Sequence, residues 1–348
     1  MNSRKVNISQ QRLLLLLTSA LVVLFVTSLA IGSNPLPLLR AATEAMADSP
    51  STISLILTEI RLPRTLIALI AGATLGLCGA VMQGLLRNPL ASPGLIGSSS
   101  GAAFGAVLVL YLGVADIIPA ALPAGGMLGS LLAMLLVYLL AGRDASIVTL
   151  ILAGVAINSL ALALVSLLLN LAPSPYAVQE IAIWMLGSVA DKGMHDLWLL
   201  LVPTLIGWSL IAGSGKALDA LTLGEDTAAT LGFNLAAIRW RLFLGIALAV
   251  GAAVSITGAI GFVGLVTPHL LRPLVGYQPS RLLTSSAMGG AIVLLLADIL
   301  VRLLPPGQEI KVGVITALVG APFFLYLILK TRRVQIRACY RPGVSHSI

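Results

Sequence analysis

Charge, histidine and cysteine are all scarce in this sequence. Of its 348 residues only 10% are charged and 58% are hydrophobic, and there are three histidines and two cysteines. Cys78 lies in an apolar stretch and Cys339 near the C-terminus, so we expect no disulfide between them. The sequence has no His-Glu-x-x-His motif, cysteine cluster or paired intramembrane carboxylates, the usual residues of metal chemistry and proton-driven antiport. We therefore predict no metal site and no cofactor on this chain.

Two short motifs resemble catalytic or nucleotide-binding sequences but lack what that chemistry requires. Gly97-Ser-Ser-Ser-Gly101 fits the Gly-x-Ser-x-Gly pattern of hydrolases, yet it opens a predicted membrane helix and not a strand-to-helix turn. Gly213-Ser-Gly-Lys216 is not a P-loop, because position 210 is Leu and Lys216 is followed by Ala217. An intramembrane hydrolase would depend on Ser99 alone. We predict that the chain is not an enzyme, has no catalytic residues and does not bind ATP itself.

Apolar segments dominate the chain, and ten of them are long enough to cross a bilayer. A hydrocarbon core of about 30 Å requires about 20 apolar residues in a helix. We predict an all-α, polytopic membrane protein with about ten transmembrane helices: Leu13–Ile31, Ile60–Leu86, Pro93–Leu112, Ile117–Leu140, Ile147–Leu169, Leu197–Ala212, Ile238–Thr257, Gly258–Val275, Leu282–Leu303 and Val312–Leu329. The first is interpreted as a retained helix and not a signal peptide, because no small-residue cleavage site directly follows a short apolar core.

Basic residues fix the predicted orientation. If both termini are cytoplasmic, fifteen of the 21 lysines and arginines but only four of the 13 acids lie inside. This is the positive-inside bias. The transmembrane domain is then 13–330, between a cytoplasmic tail over 1–12 and a basic cytoplasmic tail over 331–348. The net charge of +8 follows from topology and from membrane lipid attracted to the basic tail, so no nucleic-acid partner is expected.

Small residues recur four apart in several predicted spans. Examples are Gly72 with Gly76, Gly101 with Gly105 and Gly125 with Gly129, a spacing that allows close helix packing in membranes. An internal echo also relates residues 68–89 to residues 247–268, as when Gly72 aligns with Gly251. The two segments begin an odd number of crossings apart, so a genuine repeat would be inverted, as in many transporters.

The predicted spans are almost free of charged residues. Asp298 and Arg302 are four residues apart on one helix face, which favours an ion pair that closes the outer end of the helix. A proton relay is the alternative, but no second membrane carboxylate continues the path. Arg61 and Arg64 lie outside, against the charge bias. They are either interfacial anchors or a cationic site for carboxylates arriving from outside.

The loop Lys216–Asn234 is the only sizeable inner connection between spans. Gly224 and Gly232 bracket a short predicted helix, Glu225–Leu231, with acids at its N-terminal end, where the helix dipole favours them. A surface helix this short gains little stability alone. We predict that it docks against a cytoplasmic partner.

These blocks resemble the FecCD family of ABC importer permeases over about residues 55–330. The resemblance rests on Arg61-Leu-Pro-Arg64-Thr, Gly79-Ala-Val-Met-Gln-Gly84, Arg87-Asn-Pro-Leu-Ala91, Pro93-Gly-Leu-Ile-Gly97, Leu152-Ala-Gly-Val-Ala156, Gly224-Glu225 with Leu231-Gly232, Gly261-Phe-Val-Gly-Leu265, Pro268-His269 with Arg272, Ala297-Asp298 with Arg302, and Gly320-Ala-Pro-Phe-Phe324. Lys311 departs from the family pattern, which usually has Pro there, so the outer entry to the last helix is expected to bend differently.

The resemblance implies partners and site residues. The partners are a second permease subunit, identical or homologous, two cytoplasmic ATPase subunits that hold ATP and Mg, and a periplasmic or lipid-anchored substrate-binding protein. By similarity, the ATPase coupling residues are Gly224, Glu225, Asp226, Ala228, Leu231 and Gly232. Binding-protein docking falls to Arg61, Arg64 and Arg302, and the cytoplasmic gate to Ser146, Ile147 and Val148.

The resemblance also implies the function and location of the chain. We expect a permease of the bacterial cytoplasmic (inner) membrane that imports a ferric siderophore, with haem or cobalamin as alternative cargo. A self-sufficient secondary transporter is an alternative of another class. The dearth of coupling carboxylates disfavours it, and so does the loop over residues 216–234, for which a lone transporter has no need.

Overall fold

The computed structural model describes residues 9–32, 36–46, 51–118, 120–142, 146–304 and 310–339. In these ranges it contains no strand, which confirms the all-α prediction. The α-helices are α1 Gln10–Ala30, α2 Leu38–Ala45, α3 Thr52–Leu55, α4 Leu62–Leu85, α5 Ser98–Tyr111, α6 Val114–Ile117, α7 Ala121–Ala141, α8 Ile147–Asn170, α9 Pro175–Met185, α10 Met194–Ile211, α11 Gly215–Leu221, α12 Glu225–Thr230, α13 Leu235–Thr257, α14 Val263–Leu271, α15 Pro279–Arg302 and α16 Val312–Cys339.

Two short helical segments are not α-helices. A π-helical segment, Ile56–Arg61, joins α3 to α4, and a 3₁₀ helix, Pro93–Ile96, precedes α5. Parts of the predicted tails, residues 1–8 and 340–348, lie outside the described residues, as does Asp48. Helix α16 continues through Lys330 into the segment predicted as a tail, because the next helix-breaking residue is Pro342.

Within the described ranges, seven helices are long and apolar enough to cross a membrane: α1, the continuous α3–α4 stretch, α7, α8, α10, α13 and α15. Helix α5 and the apolar part of α16, Val312–Tyr326, are shorter. Helix α14 has nine residues, a length of about 14 Å, less than half of the hydrocarbon thickness. Helix length therefore does not confirm ten crossings, and the predicted span Gly258–Val275 is not one continuous helix.

The break before α14 coincides with a close crossing of three backbones. Gly258 has a φ of 70°, and a Cβ there would lie 2.2 Å from the Trp184 carbonyl oxygen. A Cβ at Gly313, at the start of α16, would lie 2.1 Å from the Leu186 oxygen. Only glycine fits such approaches, and Phe262 then adopts a φ of 64° before the helix resumes. The helix is therefore interrupted where the ends of α9 and α13 contact the start of α16.

Glycine pairs lie at two close helix contacts in the bundle. Between α4 and α15, a Cβ at Gly76 would lie 2.0 Å from the Ser286 oxygen, and one at Gly290 would lie 2.2 Å from the Gly72 oxygen. Between α5 and α7, the pairs over 101–105 and 125–129 approach as closely, with 2.0 Å from a Cβ at Gly105 to the Gly125 oxygen. The predicted tight packing is confirmed.

The helices differ strongly in burial within this chain. Helices α4 and α13 are the most buried spans and form the centre of the bundle, whereas α1 has the least buried surface. The predicted echo relates these two central helices. Gly72 of α4 meets Ala291 of α15, and its counterpart Gly251 of α13 meets Ser130 of α7. The glycines thus serve the same packing purpose, and the inverted repeat stays a prediction.

Candidate functional site

A buried ionic cluster joins the ends of α1, α4 and α15. Asp298, in the last turns of α15, is fully buried. Arg64, in the first turn of α4, donates from Nη2 to Asp298 Oδ1 at 2.7 Å. Arg302 donates from Nη2 to the other carboxylate oxygen. The predicted pair between Asp298 and Arg302 is confirmed, and Arg64 is an additional partner. The arrangement is an ion-pair cluster and not a chain of carboxylates for proton transfer.

Two of the arginines also hold the C-terminal end of α1. Arg61 Nη1 donates to the Leu29 and Ala30 carbonyl oxygens at 2.9 and 2.7 Å. Arg302 Nη1 donates to the Ser28 oxygen at 2.7 Å. Cationic groups satisfy the last carbonyls of a helix and complement its dipole. Arg61, Arg64 and Arg302, predicted for docking, are therefore brought together by the fold.

Exposure separates the three arginines. Arg61 is 7% exposed, the Arg302 side chain is 6% exposed and the Arg64 side chain 19% exposed. Arg64 and Arg302 share one carboxylate, and Arg61 binds the end of α1 beside them. Arg64 is the most accessible of them from outside the bundle. Docking of a binding protein at this cluster stays a prediction.

The predicted inner helix is present as α12, and a glycine with a positive φ lies at each of its ends. Gly224 has a φ of 112° and precedes Glu225. At the other end Gly232, with a φ of 87°, donates to the Ala229 oxygen, and Phe233 donates to the Ala228 oxygen. This pair of bonds is the Schellman motif that ends a helix. The two glycines therefore fix the length of α12.

The two faces of α12 differ in chemistry. Ala228 is fully buried and anchors the helix to the bundle. Leu231, at its end, is 60% exposed, and Leu223, just before Gly224, is exposed as well. Asp226 is also exposed. The exposed face of α12 therefore presents two leucines and an acid to which a partner could bind.

Glu225 is held by arginines from two central helices, a feature that the sequence reasoning missed. Its Oε2 lies 2.8 Å from Nη2 of Arg239 on α13, and its Oε1 lies 3.5 Å from Nη2 of Arg87, which follows α4. The Arg239 side chain is only 8% exposed. Sequence reasoning counted Arg239 only as a topological charge and used Arg87 only as a topological charge and as part of a family motif. No local signal could pair Glu225 with Arg87, 138 positions away.

The predicted gate lies at the start of α8. Ser146 is the N-cap residue, and its Oγ accepts from the Thr149 N–H at 3.2 Å. Ile147 packs against the core, while Ser146 and Val148 are exposed. Tyr138, near the end of α7, contacts Trp240, near the start of α13, with ring centroids 5.0 Å apart. The start of α8 therefore lies at the same end of the bundle as α12. The gating role itself stays a prediction.

Helix α4 connects the two ends of the molecule. Arg64 in its first turn belongs to the ionic cluster, and Arg87, just after its last turn, faces Glu225. Its 24 residues span about 36 Å. The arginine cluster and the inner helix therefore lie on opposite sides of the predicted membrane.

The hydrolase-like motif has a structural explanation. Gly97, with a φ of 80°, begins α5. The Ser98 hydroxyl lies 3.0 Å from that of Ser130, and the Ser100 hydroxyl donates to the Gly97 oxygen. These are helix-start and helix-packing contacts. The geometry required of a nucleophile elbow, a turn between a strand and a helix, is not the geometry of this motif.

Comparison with known proteins agrees with this architecture. A model of the FecCD transport family matches residues 20–330. The hemin transport system permease protein HmuU of Yersinia pestis is 37% identical over 319 residues, covering 87% of this chain and 92% of that protein. The vitamin B12 import system permease protein BtuC of Salmonella typhi is 41% identical over 278 residues, covering 79% and 84%.

A solved structure has the same fold. It is described as an inward-facing conformation of a metal-chelate type ABC transporter, and it aligns with a TM-score of 0.81 at 36% identity. The alignment covers 92% of this chain and all of the solved chain. The chain therefore belongs to the FecCD transport family.

Proposed function

We propose that the chain is the permease subunit of a binding-protein-dependent ABC importer. The observation that carries this proposal is α12, a six-residue helix with exposed leucines beside it whose Glu225 is tied to α4 and α13. A helix of six residues is not stable alone. The ion pair between Glu225 and Arg239 would pass a push on α12 to α13, one of the two most buried spans. Such a helix suits the cleft of a motor subunit.

The proposed subunit crosses the membrane ten times, with both termini in the cytoplasm of a bacterial cell and the protein in its inner membrane. The seven long spans would be completed by α5, α14 and the apolar part of α16. Two permease subunits, identical or homologous, would pair around a shared pathway. Helix α8 suits the wall of that pathway, because Val148, Leu152 and Val155 form an exposed stripe that begins at the predicted gate.

On the outer side we assign the docking of the substrate-binding protein to the arginine cluster. Arg64 is its most accessible member, and guanidinium groups bind carboxylates in a bidentate fashion. Arg61 and Arg302 also hold α1. A docked carboxylate would therefore act on the ends of three helices at once. Two cytoplasmic ATPase subunits would hold ATP and Mg, and this chain would have no catalytic role.

For cargo we propose a metal chelate, first a ferric siderophore, with haem and cobalamin as alternatives supported by the relatives' names. An outer cavity of about 530 Å³ between α9, the end of α13 and the start of α16 supports a bulky cargo. Lys311, which departs from the family pattern, lines it together with Lys192, Glu180 and Tyr176. Helix α16 begins directly after Lys311.

Reconstitution in liposomes tests the proposal. The permease would be combined with its ATPase and loaded binding protein, and uptake measured for a ferric siderophore, haem and cobalamin in turn. We expect uptake to require ATP and both partners and to persist when a protonophore collapses the proton gradient. Uptake by the permease alone that stops with the protonophore would instead identify a secondary transporter.

A further inference from the structure

An arginine-lined cavity lies at the same end of the bundle as α12. Its volume is about 220 Å³, and it is bounded by the end of α4, the segment after α14 and the start of α15. Gln83, Arg87, Arg272 and Tyr277 contribute its polar lining. Leu13 of α1, the most exposed span, belongs to an apolar cluster with Leu282, which also lines the cavity. The cavity therefore lies near the lipid-facing edge of the protein.

Arg272 brings a positive charge into this cavity. Its Nη2 donates to Oε1 of the buried Gln83 at 2.6 Å, and its buried Nε has no hydrogen-bond partner. Among the described residues, no acid lies within ion-pair distance of Arg272. An uncompensated cation in a cavity favours an anionic ligand.

The neighbouring acid is already bound elsewhere. Asp219, on α11, accepts from Gln278 Nε2 at 3.1 Å and from the Ser280 N–H at 2.8 Å. These bonds direct its two oxygens to the start of α15. Asp219 therefore supplies no counter-charge to Arg272.

Arg87 and the backbone conformation around the cavity also favour an anionic ligand. Arg87 lies 3.5 Å from Glu225, a long distance for an ion pair, and its side chain is partly exposed. Arg87 and Tyr277 have φ values of 46° and 63°, so two non-glycine residues in left-handed conformations line one small cavity. Such conformations cost free energy and cluster at ligand sites.

We propose that this cavity binds the phosphate of an anionic phospholipid headgroup, with the acyl chains lying along the inner part of α1. Arginine is suited to phosphate because its planar fork donates two parallel hydrogen bonds. Basic pockets between membrane helices on the cytoplasmic side commonly take such headgroups. The apolar side of the cavity, with Ala80 and Leu282, favours a lipid over free phosphate. The site concerns neither cargo nor ATP, and its location inside the cell rests on the proposed orientation.

Lipid binding to the purified complex of permease and ATPase tests the proposal. Native mass spectrometry would count the phospholipids retained in detergent. The thermal unfolding midpoint would be followed while phosphatidylglycerol, phosphatidylcholine or inorganic phosphate is added. We expect phosphatidylglycerol to bind and raise the midpoint, and the other two to have little effect at equal concentration.

Charge-neutral variants locate the binding. For Arg272→Gln we expect about tenfold weaker phosphatidylglycerol binding, the effect of losing one hydrogen bond to a charged group. The matched control is Arg281→Gln, which changes an exposed arginine on α15 that does not line the cavity and should bind as the parent does. If Arg272→Gln does not fold, Arg87→Gln provides the same comparison.

Three results would overturn the proposal. Parental lipid affinity in the folded cavity variant would place the lipid elsewhere. Inorganic phosphate that binds as tightly as phosphatidylglycerol would make the ligand a free anion. Phosphatidylglycerol binding seen only in the permease without its ATPase would mean that the ATPase fills the cavity.

Discussion

Asp298 is the residue on which the outer ends of three helices depend. It is fully buried between Arg64 and Arg302, and Arg302 also holds α1. Removing one member of a buried ion pair costs about 3–5 kcal/mol, because the remaining charge stays buried without a partner. We predict that Asp298→Asn lowers the thermal unfolding midpoint of the purified protein markedly. Glu59→Gln, which changes an exposed acid before α4, is the control. A midpoint equal to that of the control would show that the cluster is not structural.

Arg64 is the arginine best suited to testing the docking role. Reversing the charge of Arg61 or Arg302 would also release the carbonyls of α1, so a loss of docking could then reflect damage to the fold. Arg64→Lys keeps the charge beside Asp298 but loses the planar fork. Removing one partner of a charged pair at a closed interface costs about 2–5 kcal/mol, because the remaining carboxylate stays buried. A pair at an exposed surface contributes only about 0.2–1 kcal/mol.

We therefore predict that Arg64→Lys weakens association with the binding protein by about tenfold, and that added salt weakens the parent complex. Surface plasmon resonance on the reconstituted permease would measure both effects. Arg40→Lys, in an exposed arginine of the outer helix α2, is the matched control and should not change the association. Salt-independent binding that survives Arg64→Lys would reduce the cluster to holding the three helices together.

At the scale of helices, the sequence predicted the features that depend on residues close together in the chain. Hydrophobic length located the long spans, and the spacing of glycines indicated that α4, α5 and α7 pack closely, although it did not indicate their partners. Gly224 and Gly232 bracket α12, and Gly232 ends the helix because a glycine readily adopts the left-handed conformation of the helix C-terminus. These features depend on a few neighbouring residues, which the sequence displays directly.

Long-range contacts determined what the sequence could not predict. The apolar stretch Gly258–Val275 looks continuous, but the backbone of Trp184 crosses at Gly258 and interrupts it. Arg64 pairs with Asp298 across 234 positions, and Arg239 pairs with Glu225 from another helix. Only the fold brings such groups together. The three-dimensional arrangement therefore brings isolated charges together in a buried ionic cluster and in an ion pair beside α12.

The contact between α4 and α15 yields a prediction about packing. A Cβ at Gly76 would lie 2.0 Å from the Ser286 oxygen, and backbone cannot move aside as a flexible side chain can. We predict that Gly76→Leu destabilises the protein by more than about 3 kcal/mol, the upper end of the range that is typical of overpacking. Folded yield and the thermal midpoint in detergent would measure the loss. Gly193→Leu, at a glycine with open space around its Cβ position, should be tolerated. Equal stability of the two variants would contradict this account of helix packing.

At the scale of the whole molecule, the charge distribution predicts the orientation. Fifteen basic residues against four acids on the cytoplasmic side require Arg4 and Arg337 to be inside and Asp48 and Asp191 outside. Single cysteines at positions 191 and 337, in a background with Cys339→Ser, would be labelled with a membrane-impermeant maleimide. We predict labelling of position 191 in intact cells and of position 337 only after the membrane is opened. The reverse pattern would invert the topology and exchange the proposed docking and coupling sides.

The central claim is that ATP hydrolysis drives the permease through α12. The most direct test is ATP-dependent uptake in proteoliposomes that contain the permease, its ATPase and the loaded binding protein. Three permeases would be compared: the parent, Glu225→Arg, and Glu225→Arg with Arg239→Glu. We predict that the single change abolishes uptake, because two arginines then face each other where an ion pair stood. The double change restores the opposite charges and should recover part of the rate. Parental uptake by the single variant, at equal protein content, would contradict the account.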